Sequence, residues 1–374
     1  MKTVSKYIAV FGCLFLTIGS AHSQQDVQTF KSVFKDKFYV GVAINRQQAM
    51  GVDKKEQDLI KQYYNCISPE NDLKWENIHP AEGTYNFRPA DAYVEFGKQS
   101  GMFIIGHTLV WHSQTPDWVF KDAKGNDLTR EALLARMKDH IETVMHRYKG
   151  IIKGWDVVNE ALNEDGSLRN SKWRTIIGDD YIEKAFEYAH AADPHAELYY
   201  NDYNLNQSEK RSGAIEIVQQ LKQKGLPIKA VGEQAHYSLW HGTDKEVEAL
   251  IRDFINVGIV VNFTEFDISV LPDKGASTTA DVANTAKYEE RLNPYTAGLP
   301  TDVQQQLADR YGNIFKLFVK YSDNIDRVTF WGLSDRNTWL NNWPIRGRTN
   351  YPLPFSRDLS LKKDVVAKIL QAAK

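Results

Sequence analysis

The sequence predicts an α/β chain closed as a single (β/α)8 TIM barrel with its active site at the C-terminal ends of the strands. Three observations predict it. From about residue 130 onward, helical patterns alternate with short β-branched or apolar runs, with no low-complexity linker between them. Three earlier runs read as strands and bring the count to eight, a number that closes naturally into a barrel. Polar residues then gather at the C-terminal ends of these runs, the face on which a parallel barrel keeps its chemistry.

Taken in order, the chain opens with Lys2 and Lys6, an apolar stretch from Tyr7 to Ile18, and Ala21-His22-Ser23. This is the layout of a secretory signal over 1–23, with an apolar core too short to span a bilayer. It leaves 24–374 as one catalytic domain, exported to the periplasm, the cell surface or the medium, and expected to act as a monomer. The first three strands are "FYVGVAI" (38–44), "YNCIS" (64–68) and "MFIIGHTLV" (102–110). Leu133, Leu134, Met137, Ile141, Val144, Met145 and Tyr148 fall at helical spacing, Gly150 stops that helix, and "KGWDVVN" (153–159) is the fourth strand. The helix-to-strand unit recurs into "AELYYNDYN" (196–204), "IKAVGEQAH" (228–236), "IVVNFTEFD" (259–267) and "RVTFWGLSD" (327–335). A long loop-like insertion, Leu271 to Pro300, follows the seventh strand. An open doubly wound sheet would carry a Gly-rich phosphate turn after its first strand, and there is none.

Composition excludes several partners. With 42% hydrophobic and 25% charged residues the 374-residue chain is an ordinary globular protein. Its formal charge of −2 offers no basic face to nucleic acid or to a membrane. Removing the signal leaves Cys66 as the one cysteine, so no internal disulfide forms and Cys66 reads as a small buried hydrophobe.

The polar strand ends carry the chemistry. They are His107, Trp111 and His112 after the third strand, Asn159 and Glu160 after the fourth, and Asn201 to Asn204 after the fifth. Gln234 and His236 follow the sixth, Thr264, Glu265 and Asp267 the seventh, and Trp331 and Asp335 the eighth. Glu160 and Glu265 stand on strands that face each other across the barrel mouth. Two opposed carboxylates are what glycosidic-bond cleavage requires: one protonates the leaving oxygen while the other attacks the anomeric carbon or activates water. No metal or cofactor is then needed. There is no H-E-x-x-H, no Cys/His cluster and no G-x-S-x-G elbow, and His107 and His112 are poorly spaced for chelation.

"NDLKWENIHP" (71–80), "GHTLVWHSQTPDW" (106–118), "WDVVNEAL" (155–162), "NDYN" (201–204), "GEQAH" (232–236), "TEFDI" (264–268) and "VTFWGLSD" (328–335) together resemble the glycoside hydrolase family 10 endo-xylanases. The resemblance runs from about Phe38 to Leu361, with every motif in the family's order. It implies endo-hydrolysis of β-1,4-xylosidic bonds by a retaining double displacement, with Glu160 as acid/base and Glu265 as nucleophile, roughly 5 Å apart. It also implies Asn159, His236 and Asp267 as supporting residues. Substrate would be positioned by Glu70, Asn71, Lys74, His107, Trp111, Gln114, Tyr203 and Gln234, with Trp331 and Trp339 as an aromatic wall. The implied partner is xylan or a xylo-oligosaccharide.

The negative charge of Glu265 is expected to raise the pKa of Glu160, so that it holds a proton near neutral pH. Trp155, within a strand, reads as core, and Trp343 is open to either assignment. Glu233 and Phe266 depart from the commoner family residues, and Glu233 should face away from the barrel centre. A β-1,4-glucanase or cellobiosidase on the same machinery, and a catalytically silent sugar-binding barrel, are the rival readings. The insertion, attached to the strand carrying Glu265, is expected to shape the aglycone side of the cleft.

Overall fold

Short apolar runs, each preceded by an amphipathic helix, can satisfy every backbone group of a parallel sheet only if the sheet has no open edge. The computed structural model, which describes residues 28–272, 281, 285 and 287–374, has that closure. Its strands are β1 (Tyr39–Ile44), β2 (Cys66–Pro69), β3 (Phe103–Trp111), β4 (Gly154–Asn159), β5 (Glu197–Asp202), β6 (Ala230–Glu233), β7 (His236–Ser238), β8 (Val260–Ser269) and β9 (Arg327–Phe330). All pair in parallel. The ring runs from β1 through β6 to β8 and β9, and Tyr39 to Val42 of β1 meet Arg327 to Phe330 of β9 to close it. Residues 1–23, read as a leader, lie outside the described residues. Among the described residues no helix is long and apolar enough to cross a membrane.

The sixth expected strand is two pieces. β6 joins the barrel ring, whereas β7 pairs only with the upper part of β8, putting His236 opposite Asp267. Between them Ala235 has a left-handed backbone (φ 59°), and its carbonyl accepts from Tyr237 N at 2.9 Å. The break turns the chain across the barrel mouth, so that Gln234 and His236 both reach the cavity.

Helices form where caps and apolar faces coincide. Thr129 Oγ1 accepts from Ala132 N to start Arg130–Arg147, which buries Leu133, Met137, Ile141, Val144 and Met145. Thr243 and Glu246 make a reciprocal capping box at the start of Asp244–Asn256. The main core lies between strands and helices, and Trp155 belongs to it. Gly106 makes that possible, because a Cβ there would come within 2.1 Å of the Trp155 ring. Cys66, Ile105, Tyr199 and Ala230 form a separate small cluster in the barrel. Burial pushes the Cys66 thiol up to about 12, the behaviour of an inert packing residue. Above this cluster His107 Nδ1 meets Asp156 Oδ2 at 2.9 Å, and the buried Arg327 lies 3.8 Å from the same carboxylate and 4.6 Å from the Tyr199 ring.

Candidate active site

Register in β3, β4 and β8 shifts next to the site: between His107 and Val110, between Asp156 and Val158, and between Phe263 and Phe266. Such bulges re-aim side chains at strand ends. They open a cavity of about 210 Å³ at the C-terminal mouth of the barrel. Glu70, Asn71, Lys74, His107, Trp111, Gln114, Asn159, Glu160, Gln234, His236, Glu265, Trp331 and Trp339 line it.

Glu160 leaves β4 in a left-handed conformation, φ 54°, which costs a non-glycine residue energy and must be held by its surroundings. Every nearby backbone group is engaged. Glu160 N donates to Asn201 O at 2.9 Å, Ala161 N to the Tyr200 hydroxyl at 3.2 Å, and Leu162 N to Asp202 Oδ2 at 3.4 Å. Arg169 donates from Nε to Glu160 O at 3.2 Å and from Nη2 to Leu162 O at 3.3 Å. The Glu160 carboxylate accepts from Trp111 Nε1 at 2.8 Å, Gln234 Nε2 at 2.9 Å and Asn159 Nδ2 at 3.2 Å.

Burial, then the charge of Asp202, push Glu160 up to about 7, with Glu265 adding a smaller push against the donors Gln234 and Trp111. The sequence reading credited Glu265 alone. Asp202 is the larger charge because it sits behind Glu160 on the neighbouring strand, fully buried, with Lys210 at 3.0 Å and the Tyr200 hydroxyl as its partners.

Glu265 is held in the opposite sense. Burial works against its ionisation, but the hydrogen bond from His236 and the fields of His107, His236 and Lys74 outweigh it and keep its carboxyl below the usual range. His236 lies between two carboxylates, Nε2 3.3 Å from Glu265 and Nδ1 3.1 Å from Asp267. Burial opposes the imidazolium, yet Asp267 and Glu265 raise it to about 10, so the ring carries its proton at neutral pH. Asp267 lies behind His236 outside the cavity wall, and accepts from Trp339 Nε1 at 2.9 Å. Asn201 Nδ2 donates at 2.9 Å both to Glu265 Oε1 and to Asn159 Oδ1. An unbroken chain of carboxamides therefore joins the two carboxylates.

At one end of the cavity Lys74 Nζ donates to Asn71 Oδ1 and Gln114 Oε1, both at 3.0 Å, and stands 5.0 Å over the Trp111 ring. Burial lowers its affinity for the proton, and Glu265, Glu70, Glu160 and Glu76 counter that. Gln114, itself left-handed (φ 44°), donates to Glu76 Oε1 at 2.7 Å. Trp339 stacks on Trp343 at 4.5 Å, which assigns Trp343 to the support of the aromatic wall.

Tyr203 departs from the expectation. It does not line the cavity and is 1% exposed, its hydroxyl accepting from Arg169 Nη2 at 2.9 Å and its ring facing Lys210 Nζ at 3.3 Å. The two cations draw the side chain into the wall instead of the cleft. Glu233 is likewise buried away from the cavity, accepting from Leu205 N at 2.8 Å and Ala235 N at 3.2 Å. Residues that the sequence reading did not single out are Tyr200, Asp202 as a charge, Asn201 as a bridge, Arg169 and Glu76. For Asn201 and Asp202 the signal was the polar strand end itself; for Arg169, in a loop, there was none.

The model of glycosyl hydrolase family 10 matches residues 29–372. The chain belongs to glycosyl hydrolase family 10. It is 43% identical over 360 residues to an endo-1,4-beta-xylanase A of Xylanibacter ruminicola, covering 96% of this chain and 97% of that one. It is 40% identical over 340 residues to a beta-1,4-xylanase of Dictyoglomus thermophilum, covering 90% and 89%. The structure of an endoxylanase of the family from a sugarcane soil metagenome superposes with a TM-score of 0.89 at 43% identity, over 91% of this chain and 99% of that one. In this family 10 barrel the paired carboxylates therefore sit in the fold, the family and the cavity that their pattern implied.

Proposed function

We propose that this chain is an exported endo-β-1,4-xylanase that cleaves internal bonds of xylan with retention of anomeric configuration. The observation that carries the reading is the opposite bias of two buried carboxylates in one cavity, Glu160 pushed up to about 7 and Glu265 held below the usual range. Environments that separate two carboxyl groups in this way assign acid and nucleophile.

In the first step a Glu265 oxygen attacks the anomeric carbon as Glu160 gives its proton to the glycosidic oxygen; the carbon–oxygen bond breaks and the aglycone sugar leaves with that proton. The product is a glycosyl ester on Glu265. Esterification removes the negative charge of Glu265, so Glu160 becomes more acidic and accepts a proton from the incoming water. Water oxygen bonds to the anomeric carbon, the ester breaks, and Glu265 returns to its carboxylate. His236, protonated and braced by Asp267, orients Glu265 and stabilises its charge at the start and end of the cycle. Asn159, fixed by Asn201, presents its amide beside Glu160, where a sugar 2-hydroxyl gains a hydrogen bond that strengthens as the ring flattens. Trp331 and Trp339 meet the apolar faces of the rings.

Proton NMR of the first anomer released from xylan tests the reading. The β-anomer is expected first; an α-anomer would refute the double displacement. Glu265→Ala should lower kcat about 10⁴-fold or more, and full activity of that variant would remove Glu265 from the role.

A further inference from the structure

Glu233 ends β6 fully buried and outside the catalytic cavity, yet it is bonded to the turn that serves that cavity. Its Oε1 accepts from Ala235 N at 3.2 Å and its Oε2 from Leu205 N at 2.8 Å. Ala235 is the left-handed residue between Gln234 and His236, and its methyl side chain has no polar group with which to hold that conformation. The carbonyl of Ala235 is held by Tyr237 N and Asp267 N, and its amide by Glu233. Leu205 follows Asn204, a second left-handed residue (φ 57°), on the loop after β5. One carboxylate thus ties together two strained segments behind the barrel mouth.

Both neighbours of Ala235 touch the paired carboxylates. Gln234 Nε2 donates to Glu160 Oε1 at 2.9 Å, and His236 Nε2 lies 3.3 Å from Glu265. Gln234 N donates to Asp202 O, and Glu265 N donates to Gln234 O, both at 3.0 Å. Those bonds fix where Gln234 stands; the direction in which the chain leaves it is set at Ala235. An apolar side chain at position 233 would take the acceptor from two buried amides, a cost the turn escapes only by moving.

We propose that Glu233 is a positioning residue for the cleavage: by accepting from Ala235 N and Leu205 N it fixes the turn that aims Gln234 at Glu160 and His236 at Glu265. The inference rests on the reading of Glu160 and Glu265 as acid and nucleophile, and deepens it. Burial pushes the Glu233 carboxyl up to about 7, against the two N–H bonds and Lys210. Lys210 and Asp202 are the charges that face it, with Arg310 and Glu246 across Tyr237.

Glu233→Gln keeps the shape but has one acceptor oxygen for two amides, and Glu233→Met has no oxygen at all. With the turn loosened, Gln234 donates less well to the Glu160 carboxylate, so the pKa of Glu160 should rise by roughly half a unit or more. Loss of the Glu233 charge by itself would move Glu160 down, so the sign of the shift separates positioning from charge. Carbon-13 NMR titration of protein labelled at the glutamate side-chain carboxyls, with Glu160→Gln to assign the resonance, reads Glu160 without turnover. On an aryl β-xylobioside kcat/KM should fall about tenfold, with its basic limb displaced to higher pH. Made in a Gln234→Leu background, Glu233→Gln should move Glu160 no further, because the contact through which it acts is already gone. A Glu160 pKa that stays or falls in either folded variant, a further shift in the Gln234→Leu background, or failure of both variants to fold overturns the proposal. A wild type that hydrolyses neither xylan nor the aryl substrate would instead sink the catalytic reading, and the NMR titration would still judge Glu233.

Discussion

At the scale of single residues, the behaviour of Glu160 is set by what lies behind it as much as by the carboxylate across the cleft. Burial, Asp202 and Glu265 raise it, while Gln234 and Trp111 pull it back. In the proposed double displacement the first chemical step needs Glu160 protonated, so kcat/KM should decline as pH rises through about 7. On the acid side it should decline only once Glu265 is protonated, below the ordinary carboxylate range. Asp202→Asn removes a negative charge and leaves Lys210 with Glu164, 3.6 Å away, as its carboxylate partner. Loss of the Asp202 charge favours the Glu160 carboxylate, so the basic limb should move to lower pH by roughly half a unit or more. The acidic limb should stay in place. A pH profile of kcat/KM on an aryl xylobioside measures this, and a basic limb that does not move would show that Asp202 exerts no charge effect on Glu160. Much of this site was legible in the sequence, because Glu160, Glu265, His236 and Asn159 each end an apolar run. Tyr203 was misjudged: its neighbours in sequence say that it stands at the rim, whereas the cations Arg169 and Lys210, which draw it into the wall, come from loop and helix positions that no strand pattern reveals.

At the scale of elements, periodicity located the strands and the longer helices but did not reveal the division of β6 from β7. The run "IKAVGEQAH" contains no proline or loop cluster, and Ala235 adopts φ 59° because Tyr237 N and Asp267 N both donate to its carbonyl, a tertiary effect. The packing of the helix Arg130–Arg147 against the short helix Trp75–Ile78 was similarly hidden. There His140 stacks on Trp75 at a centroid distance of 3.6 Å and its Nδ1 meets His79 Nδ1 at 3.2 Å. Burial lowers His79 to about 4 and His140 well below its ordinary value of 6.5, and the proximity of each charge would add to the cost. A histidine held neutral in the fold but free to charge when unfolded contributes stability fully above pH about 6.5, and that stability is lost as pH falls towards 4. The melting temperature should therefore drop between pH 7 and pH 4.5, by roughly 2–4 °C for each kcal/mol lost. His140→Phe keeps the ring stack and removes one titrating group. It should show a smaller drop over the same interval, a comparison that cancels the opposing contribution of Glu233, whose carboxyl burial raises to about 7. An equal drop in both proteins would remove the histidine pair as a source of acid sensitivity.

At the scale of the whole molecule, closure of the barrel gathers loops from distant parts of the chain into one rim. The alternation of helix and strand, and the absence of a phosphate turn, were enough to read that closure. The segment from Leu271 to Pro300 was recognised as an insertion and assigned to the aglycone side only from its attachment to the strand of Glu265, since nothing periodic in it says where it packs. Its described residues tie it down at several points: Tyr351 donates its hydroxyl to Tyr295 O at 2.8 Å, Thr349 N donates to Asn293 Oδ1 at 2.7 Å, and Arg169 Nη1 donates to Asp281 Oδ2 at 2.7 Å. The last of these matters most for function. The same guanidinium holds the carbonyl of Glu160 and the hydroxyl of Tyr203, so the insertion after β8 and the rim after β4 share one mostly buried cation. Asp281→Ala removes the carboxylate that pairs with Arg169 among the described residues, and a buried charge without that partner draws in water or shifts the loop that carries it. Glu160 should then sit less firmly over the leaving oxygen. We expect kcat on xylohexaose to fall about three- to tenfold, with a shift in the lengths of the oligosaccharides released if the insertion shapes the aglycone side of the cleft as its attachment to the strand of Glu265 implies. Chromatography of the products at early times reads both quantities. An unaltered product pattern at unaltered rate would separate the insertion from the leaving-group side and confine the Arg169 to Asp281 contact to holding the fold.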